Sequence, residues 1–235
     1  MSIVFNKSKE ISLDDETLRS DLLKIASGMD NVIALGRGDP DFHTPRHIVE
    51  AAKKALDENK HHYTPPTGLP ELRKSISKNF ELKYNLDYSE DEIIITAGVQ
   101  ESIALAMISL LKADDEVLIT SPRFTTYDLT VRMCNAKPVP VHTYEKDNFA
   151  LMPELIEQKI TKKTKLLVLV SPNNPTGAVT PPNNIKKIAI FLILFGGVTA
   201  PVGLFGETRT SNLVFLVIFC SINSGINAKL SFSYV

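Results

Sequence analysis

Apolar residues recur along this chain with two different periods, and the switching between them predicts most of its elements. Leu18, Leu22, Ile25, Ala26 and Met29 fall at helical spacing, which predicts an amphipathic helix over Asp14–Met29. Val32–Leu35 reads as a short strand, and Gly36–Phe42 as a loop. Thr44 followed by Pro45 reads as a helix start, with Thr44 as N-cap and proline in the first turn. Ile48, Ala51, Ala52, Ala55 and Leu56 then form one apolar stripe. A turn-rich segment, His61–Gly68, leads into a second helix over Pro70–Phe80, with Leu69, Leu72, Ile76 and Phe80 facing inward.

Beyond this point strand and helix patterns alternate. Strands are predicted at Glu92–Thr96, Glu116–Ser121, Pro138–His142 and Lys165–Val170, with helices at Gln100–Leu111, Thr126–Cys134 and Pro153–Ile160 between them. Such alternation builds βαβ units, hence an α/β fold with a largely parallel sheet covered by helices. The run Leu166–Val170 is apolar at every position, as in a strand buried on both faces. It ends abruptly at Ser171-Pro172-Asn173-Asn174-Pro175-Thr176-Gly177, a cluster of turn formers at the sheet edge where open α/β folds keep their ligand sites.

Charge narrows the function classes. With 26 basic and 27 acidic side chains among 235 residues the net charge is −1, which argues against nucleic acid as a partner. Cys134 and Cys220 make neither a disulfide framework nor a metal cluster, a usage that fits a reducing, cytoplasmic compartment, with an organelle also open. No metal site is expected: His61 and His62 are adjacent rather than four apart, and His43, His47 and His142 lack partners at ligand spacing. The amino terminus carries Lys7, Lys9 and Glu10 and lacks the apolar core of a secretory leader. Composition changes near Ile188: the only charged residues from there to Val235 are Glu207, Arg209 and Lys229. Two apolar runs, Ile188–Phe205 and Leu213–Ile222, raise a membrane reading. Gly196, Gly197, Pro201 and Gly203 interrupt the first, and the second is well short of the ~20 residues a spanning helix needs.

One segment combines a predicted strand, a glycine and the start of an apolar helix. Ile93–Gln100 would present backbone N–H groups and the positive end of a helix dipole to an anion, although an ordinary turn closed by glycine has the same pattern. Gly36 and Gly38 begin a Gly-x-Gly, but no third glycine opens a helix and Pro40 intervenes, so a dinucleotide-binding fingerprint is rejected.

Five motifs in order carry a resemblance. They are Gly38-Asp39-Pro40-Asp41-Phe42 with Thr44-Pro45, Tyr63 through Gly68 to Glu71-Leu72-Arg73, and Thr96-Ala97-Gly98-Val99-Gln100, then Pro122-Arg123-Phe124-Thr125-Thr126-Tyr127 and Asn173-Asn174-Pro175-Thr176-Gly177. Together they resemble the amino-terminal part of class I/II, fold-type I aminotransferases that depend on pyridoxal phosphate. The resemblance implies a three-layer αβα fold with a mostly parallel sheet, the large domain of such enzymes in truncated form. It divides the chain into an arm and small-domain segment (1–45), a partial cofactor domain (46–187) and an apolar tail outside the family pattern (188–235).

Carried over by position, the resemblance implies that the backbone amides of Gly98, Val99 and Gln100 hold the cofactor phosphate. Phe124 would stack on the pyridine ring, and Asn174 would donate to the phenolic oxygen. Tyr63 would reach the phosphate of a neighbouring subunit, so that the site belongs to a dimer, and Gly38 would let a substrate carboxylate approach the backbone. Tyr127 would support the pocket without touching the cofactor.

The family also needs a lysine joined to the cofactor and a carboxylate at the pyridine nitrogen, both after the Asn-Pro-Thr-Gly turn. Here no aspartate follows Asp147, and the lysines beyond Gly177 are Lys186, Lys187 and Lys229. Lys186 and Lys187 follow the turn too closely and read as part of the next helix; Lys229 lacks the flanking residues. The expectation is therefore an aminotransferase working between an L-amino acid and a 2-oxo acid, present as an incomplete copy without a catalytic residue and inactive alone. The alternatives are a non-catalytic partner that dimerises with an intact relative, or a membrane-tethered fragment.

Overall fold

The computed structural model describes residues 24–26, 28–29, 33, 42–84, 86–195 and 214–218. They fall into two compact units, one within Met1–Ile95 and the other within Thr96–Val235. Of the helix expected at Asp14–Met29 only residues 24–26 and 28–29 are described, the first three of them helical, and the strand expected at Val32–Leu35 is represented by Ile33 alone, which lies in no strand.

The first unit contains helix α1 (Arg46–Asp57) and helix α2 (Pro70–Tyr84). Pro45, rather than Thr44, is the N-cap of α1; its carbonyl accepts from Ile48 N–H at 3.0 Å and no side chain caps the end. Proline thus stands one position before the helix, where its fixed φ still suits the turn. The apolar stripe of α1 is present but not buried, with Ile48 and Leu56 exposed. Along α2, Ile76 and Phe80 are half-buried whereas Leu69 and Leu72 remain exposed, contrary to the inward-facing reading. Polar latches hold this helix instead. Arg73 Nη1 donates to the Glu90 carbonyl at 2.7 Å, Ser77 Oγ to the Tyr88 carbonyl at 2.6 Å, and Phe80 meets Tyr88 edge to face.

Glu92–Thr96 is not the predicted strand. Glu90–Glu92 forms a 3₁₀ turn, and Ile93–Thr96 continues extended, with Ile95 N–H bonded to Thr67 O at 3.0 Å. The apolar sequence favours extended backbone, but a strand needs a neighbouring ladder, and both sides of each inner strand of the sheet are taken by other strands.

In the second unit, α3 (Val99–Leu110), β1 (Glu116–Ser121), α4 (Thr126–Met133), β2 (Lys137–His142), α5 (Pro153–Glu157), β3 (Thr164–Val170), α6 (Pro182–Phe195) and β4 (Val214–Ile218) follow one another. The four strands form a parallel sheet in the order β2-β1-β3-β4. Leu118 lies opposite Val139 and Leu167, and Leu167 opposite Phe215.

Because successive strand residues face opposite sides, the apolar run Leu166–Val170 of β3 serves two cores. Leu166, Val168 and Val170 pack with Ile103, Ala106 and Met107 of α3 and Tyr127 and Val131 of α4. Leu167 and Leu169 pack on the other face with Ile156 of α5 and Ile188 of α6. The result is three layers, αβα.

The two sheet edges differ. The first residue of β2 and the residue just after it both bond toward β1, Lys137 N–H to Asp115 O and Thr143 N–H to Ser121 O, both at 2.8 Å, which sets odd-numbered N–H groups on that side. Pro138 and Pro140 therefore face outward, where a missing donor costs nothing and no further strand can pair. At the other side β4, drawn from the apolar tail, pairs along the edge of β3. Among the described residues no helix is long and apolar enough to cross a membrane.

Candidate functional site

Parallel pairing puts the carboxyl ends of β1 and β3 at the same edge of the sheet, and the turns that leave them carry Phe124 and Asn174. The short link from α3 into β1 sets the carboxyl end of α3 at the opposite edge. Packed along the sheet, α3 therefore opens at the edge that carries the two turns. Gly98, Val99, Gln100, Phe124 and Asn174 are thus all delivered to one edge of the second unit.

The opening of α3 is built from local polar contacts. Gly98 is its N-cap, with φ +86°, and a Cβ there would meet nothing within 4 Å. Gly98 N–H donates to the Thr96 carbonyl at 2.9 Å. Ala97 N–H is taken by the Glu101 carboxylate at 2.5 Å, and Thr96 Oγ1 lies 2.6 Å from Ser102 Oγ. Val99 and Gln100 are the first two helical residues, whose N–H groups have no acceptor in a preceding turn. An incoming anion would therefore meet the amides of Val99 and Gln100 with least rearrangement, whereas Gly98 would have to exchange its turn bond.

Phe124 is half-buried against the α3/α4 core and meets Tyr127 edge to face, with centroids 6.2 Å apart. Arg123 and Asp128 clamp the same turn, Arg123 Nε donating to Asp128 Oδ2 at 2.6 Å. Asn174 is exposed, and the turn around it is closed by its neighbour. Asn173 N–H donates to Ala178 O at 2.9 Å, and Gly177 N–H to Asn173 O at 2.7 Å with Gly177 at φ +71°. Asn173 Nδ2 donates to Thr176 Oγ1 at 2.9 Å and to the Pro122 carbonyl at 3.1 Å, so the two turns are joined. The Ser171 hydroxyl, buried, accepts from Thr180 N–H at 3.0 Å.

These supports were not read from the sequence. The signals were there: a doubled asparagine with threonine three residues on, and arginine five residues before aspartate around one turn. Both need the fold to bring their partners together.

Tyr63 lies in the first unit, fully exposed on the loop before α2. Gly38 lies outside the described residues. Lys186 and Lys187 are exposed residues of α6. A pocket of about 660 Å³ lies behind the Asn-Pro-Thr-Gly turn, lined by Asp147, Asn148, Met152, Thr176, Gly177 and Asn184 among others. It includes neither Phe124, Asn174 nor the first turn of α3, so we do not place the cofactor there. Away from it, Cys134 packs against the α3/α4 core, and burial raises its thiol above its ordinary value.

A parallel αβα sheet with a helix opening and two loop-borne side chains at its carboxyl edge has the architecture of part of the large domain of pyridoxal-phosphate-dependent transferases. Comparison with known proteins makes this specific. The sequence profile of the family "Aminotransferase class I and II" matches residues 30–193, and the chain belongs to that family. It is 44% identical over 169 residues to an aspartate aminotransferase of Pyrococcus horikoshii, covering 72% of this chain and 43% of the relative. It is 46% identical over 157 residues to a probable aspartate aminotransferase of Methanocaldococcus jannaschii, covering 67% of this chain and 41% of the relative. Among solved structures, it is similar to the aspartate aminotransferase of Thermus thermophilus with maleate, at TM-score 0.71 and 35% identity, covering 78% of this chain and 48% of that one. The chain spans roughly two fifths to a half of the length of these relatives.

Proposed function

We propose that this chain carries the non-covalent half of a pyridoxal 5'-phosphate site of an aminotransferase and does not transfer amino groups on its own. The observation that supports the reading is the hydrogen bond joining the Phe124 and Asn174 turns at the sheet edge where, by the topology, α3 also opens.

The residues fit the group in part. The amides of Val99 and Gln100, with Gly98 after a shift of its turn bond, would bind the phosphate at the positive end of α3. Phe124, held by Tyr127 and the core, offers a flat apolar face to a heteroaromatic ring. Asn174 would donate to the phenolic oxygen. When bound, the cofactor supplies the electron-accepting ring on which amino transfer is run. The chain's own contribution is to bind and orient it.

Two parts do not fit. Lys186 and Lys187 sit on exposed faces of α6, and no aspartate follows Asp147. The proton-moving lysine and the carboxylate at the pyridine nitrogen are thus not supplied by the described residues.

The intact chemistry would be exchange between an L-amino acid and a 2-oxo acid, in a cytoplasmic dimer to which Tyr63 contributes across the subunit boundary and Gly38 at the substrate carboxylate. The division into arm (1–45), cofactor segment (46–187) and tail (188–235) belongs to the same proposal. The test is an assay of the purified chain with pyridoxal phosphate, an L-amino acid and a 2-oxo acid. Bound cofactor without turnover is expected; a full ping-pong cycle would overturn the proposal.

A second reading, a non-catalytic partner of an intact aminotransferase, is favoured by the exposed Ile48, Leu56, Leu69 and Leu72 of the first unit. Co-purification with a full-length relative would support it.

A further inference from the structure

Asn173 is the most heavily bonded residue of the turn, although it is its neighbour Asn174 that would meet the ligand. Its backbone closes the turn through Ala178 and Gly177. Its side-chain amide is therefore not needed for closure alone. That amide donates to Thr176 Oγ1 within the turn, and also reaches across 51 positions of sequence to the carbonyl of Pro122, two residues before Phe124, at 3.1 Å.

We propose that Asn173 is a positioning residue: its bond to Pro122 fixes the Asn174 turn to the Phe124 turn and so sets the orientation of a pyridoxal-type ligand between stacking ring and side-chain donor. The inference rests on the proposed placement of that ligand at Phe124 and Asn174. A hydrogen bond of this kind suits the task because both turns are irregular backbone at a sheet edge, free to drift separately once β1 and β3 have ended. The Phe124 turn is already stiffened from within by Arg123 and Asp128. Fixing the second turn to it transfers that stiffness to Asn174.

The decisive variant is Asn173→Asp, which keeps size and shape but loses the N–H donor and turns a carboxylate toward a carbonyl oxygen. The full chain is titrated with pyridoxal 5'-phosphate, and separately with inorganic phosphate, reading the dissociation constant and the induced circular dichroism of the bound chromophore. We expect N173D to weaken pyridoxal phosphate about five- to ten-fold, a hydrogen bond's worth, and to abolish the induced dichroism, while inorganic phosphate binds as in the wild type. N173H, which keeps an N–H at similar reach, should restore both signals, and keeps the test decisive if N173D does not fold. T176V, which removes the partner inside the turn only, should resemble the wild type.

Unchanged binding and dichroism in N173D, failure of N173H to restore them, or an equal loss in T176V would overturn the positioning role. F124A and N174A separate the two levels. If they weaken binding while N173D does not, the site stands and the latch falls. If they too have no effect, or the wild type binds no pyridoxal phosphate, the site reading itself falls and takes the latch with it.

Discussion

Arg123 and Asp128 grip each other through two parallel hydrogen bonds, Nε to Oδ2 at 2.6 Å and Nη2 to Oδ1 at 2.5 Å, around the turn that bears Phe124. Both side chains are about four-fifths buried, with exposures of 19% and 22%. A planar fork facing a carboxylate is the geometry in which arginine outperforms lysine.

Arg123→Met should therefore cost about 2–3 kcal/mol, because Asp128 is left partly buried without its partner. Arg123→Lys should recover only part of this, since one ammonium cannot make both bonds. Urea unfolding curves of the two variants against the wild type measure both. Equal stability of all three would show that the pair contributes nothing.

Gly68 stands where a side chain has no room. Its φ is +94°, and a Cβ would lie 2.4 Å from Ile95 Cγ1 and 2.6 Å from Ile95 Cβ. Gly68→Ala combines left-handed strain with a clash and should destabilise the first unit by about 2–4 kcal/mol. Hydrogen exchange at Ile95 N–H, bonded to Thr67 O, should accelerate. Gly177→Ala, where a Cβ meets nothing within 4 Å, should cost only the backbone strain, about 1–2 kcal/mol.

Pairing of β4 with β3 predicts a structural use for the apolar tail. A chain ending after Gly206 would expose the edge of β3, a row of unpaired backbone groups on an apolar strand. We expect faster amide exchange along Thr164–Val170 and more light scattering on concentration. Unchanged exchange there would mean that the tail does not protect that edge.

Burial holds the Cys134 thiol above its ordinary value, so its thiolate forms later than that of an unfolded cysteine. The sign follows: this residue's stabilising contribution is complete below the unfolded value and declines as pH rises above it. Peptide-resolved alkylation should accordingly show Cys134 reacting more slowly in the folded chain than after denaturation at pH 8 to 9, with the pH at which its rate climbs shifted upward.

The sequence disclosed elements whose two faces are both dictated by neighbours. The run Leu166–Val170 could be read directly because burial on both faces leaves no polar position in it, whereas the strands at residues 116–121 and 138–142, the latter a partly exposed edge strand, were legible as short apolar runs alternating with helical patterns. It misled at Glu92–Thr96, where apolar β-branched residues signal extended backbone but cannot reveal whether a partner strand lies alongside. The stripe of α1 was legible too, but amphipathic spacing says which face could be covered and not what covers it. At the site, Phe124 and Asn174 came from family motifs. The supporting roles of Asn173, Arg123 and Glu101 did not, because each acts through a carbonyl, carboxylate or amide whose proximity only folding creates.

The most direct test of the account is to saturate the full chain with pyridoxal 5'-phosphate, divide the sample, and treat one half with borohydride before intact-mass and peptide analysis. Saturable binding reversed by dialysis is expected in the untreated half, and no stoichiometric adduct on any lysine in the reduced half. A single adduct of unit stoichiometry on Lys186, Lys187 or Lys229 would contradict it, because the chain would then supply the covalent half of the site as well.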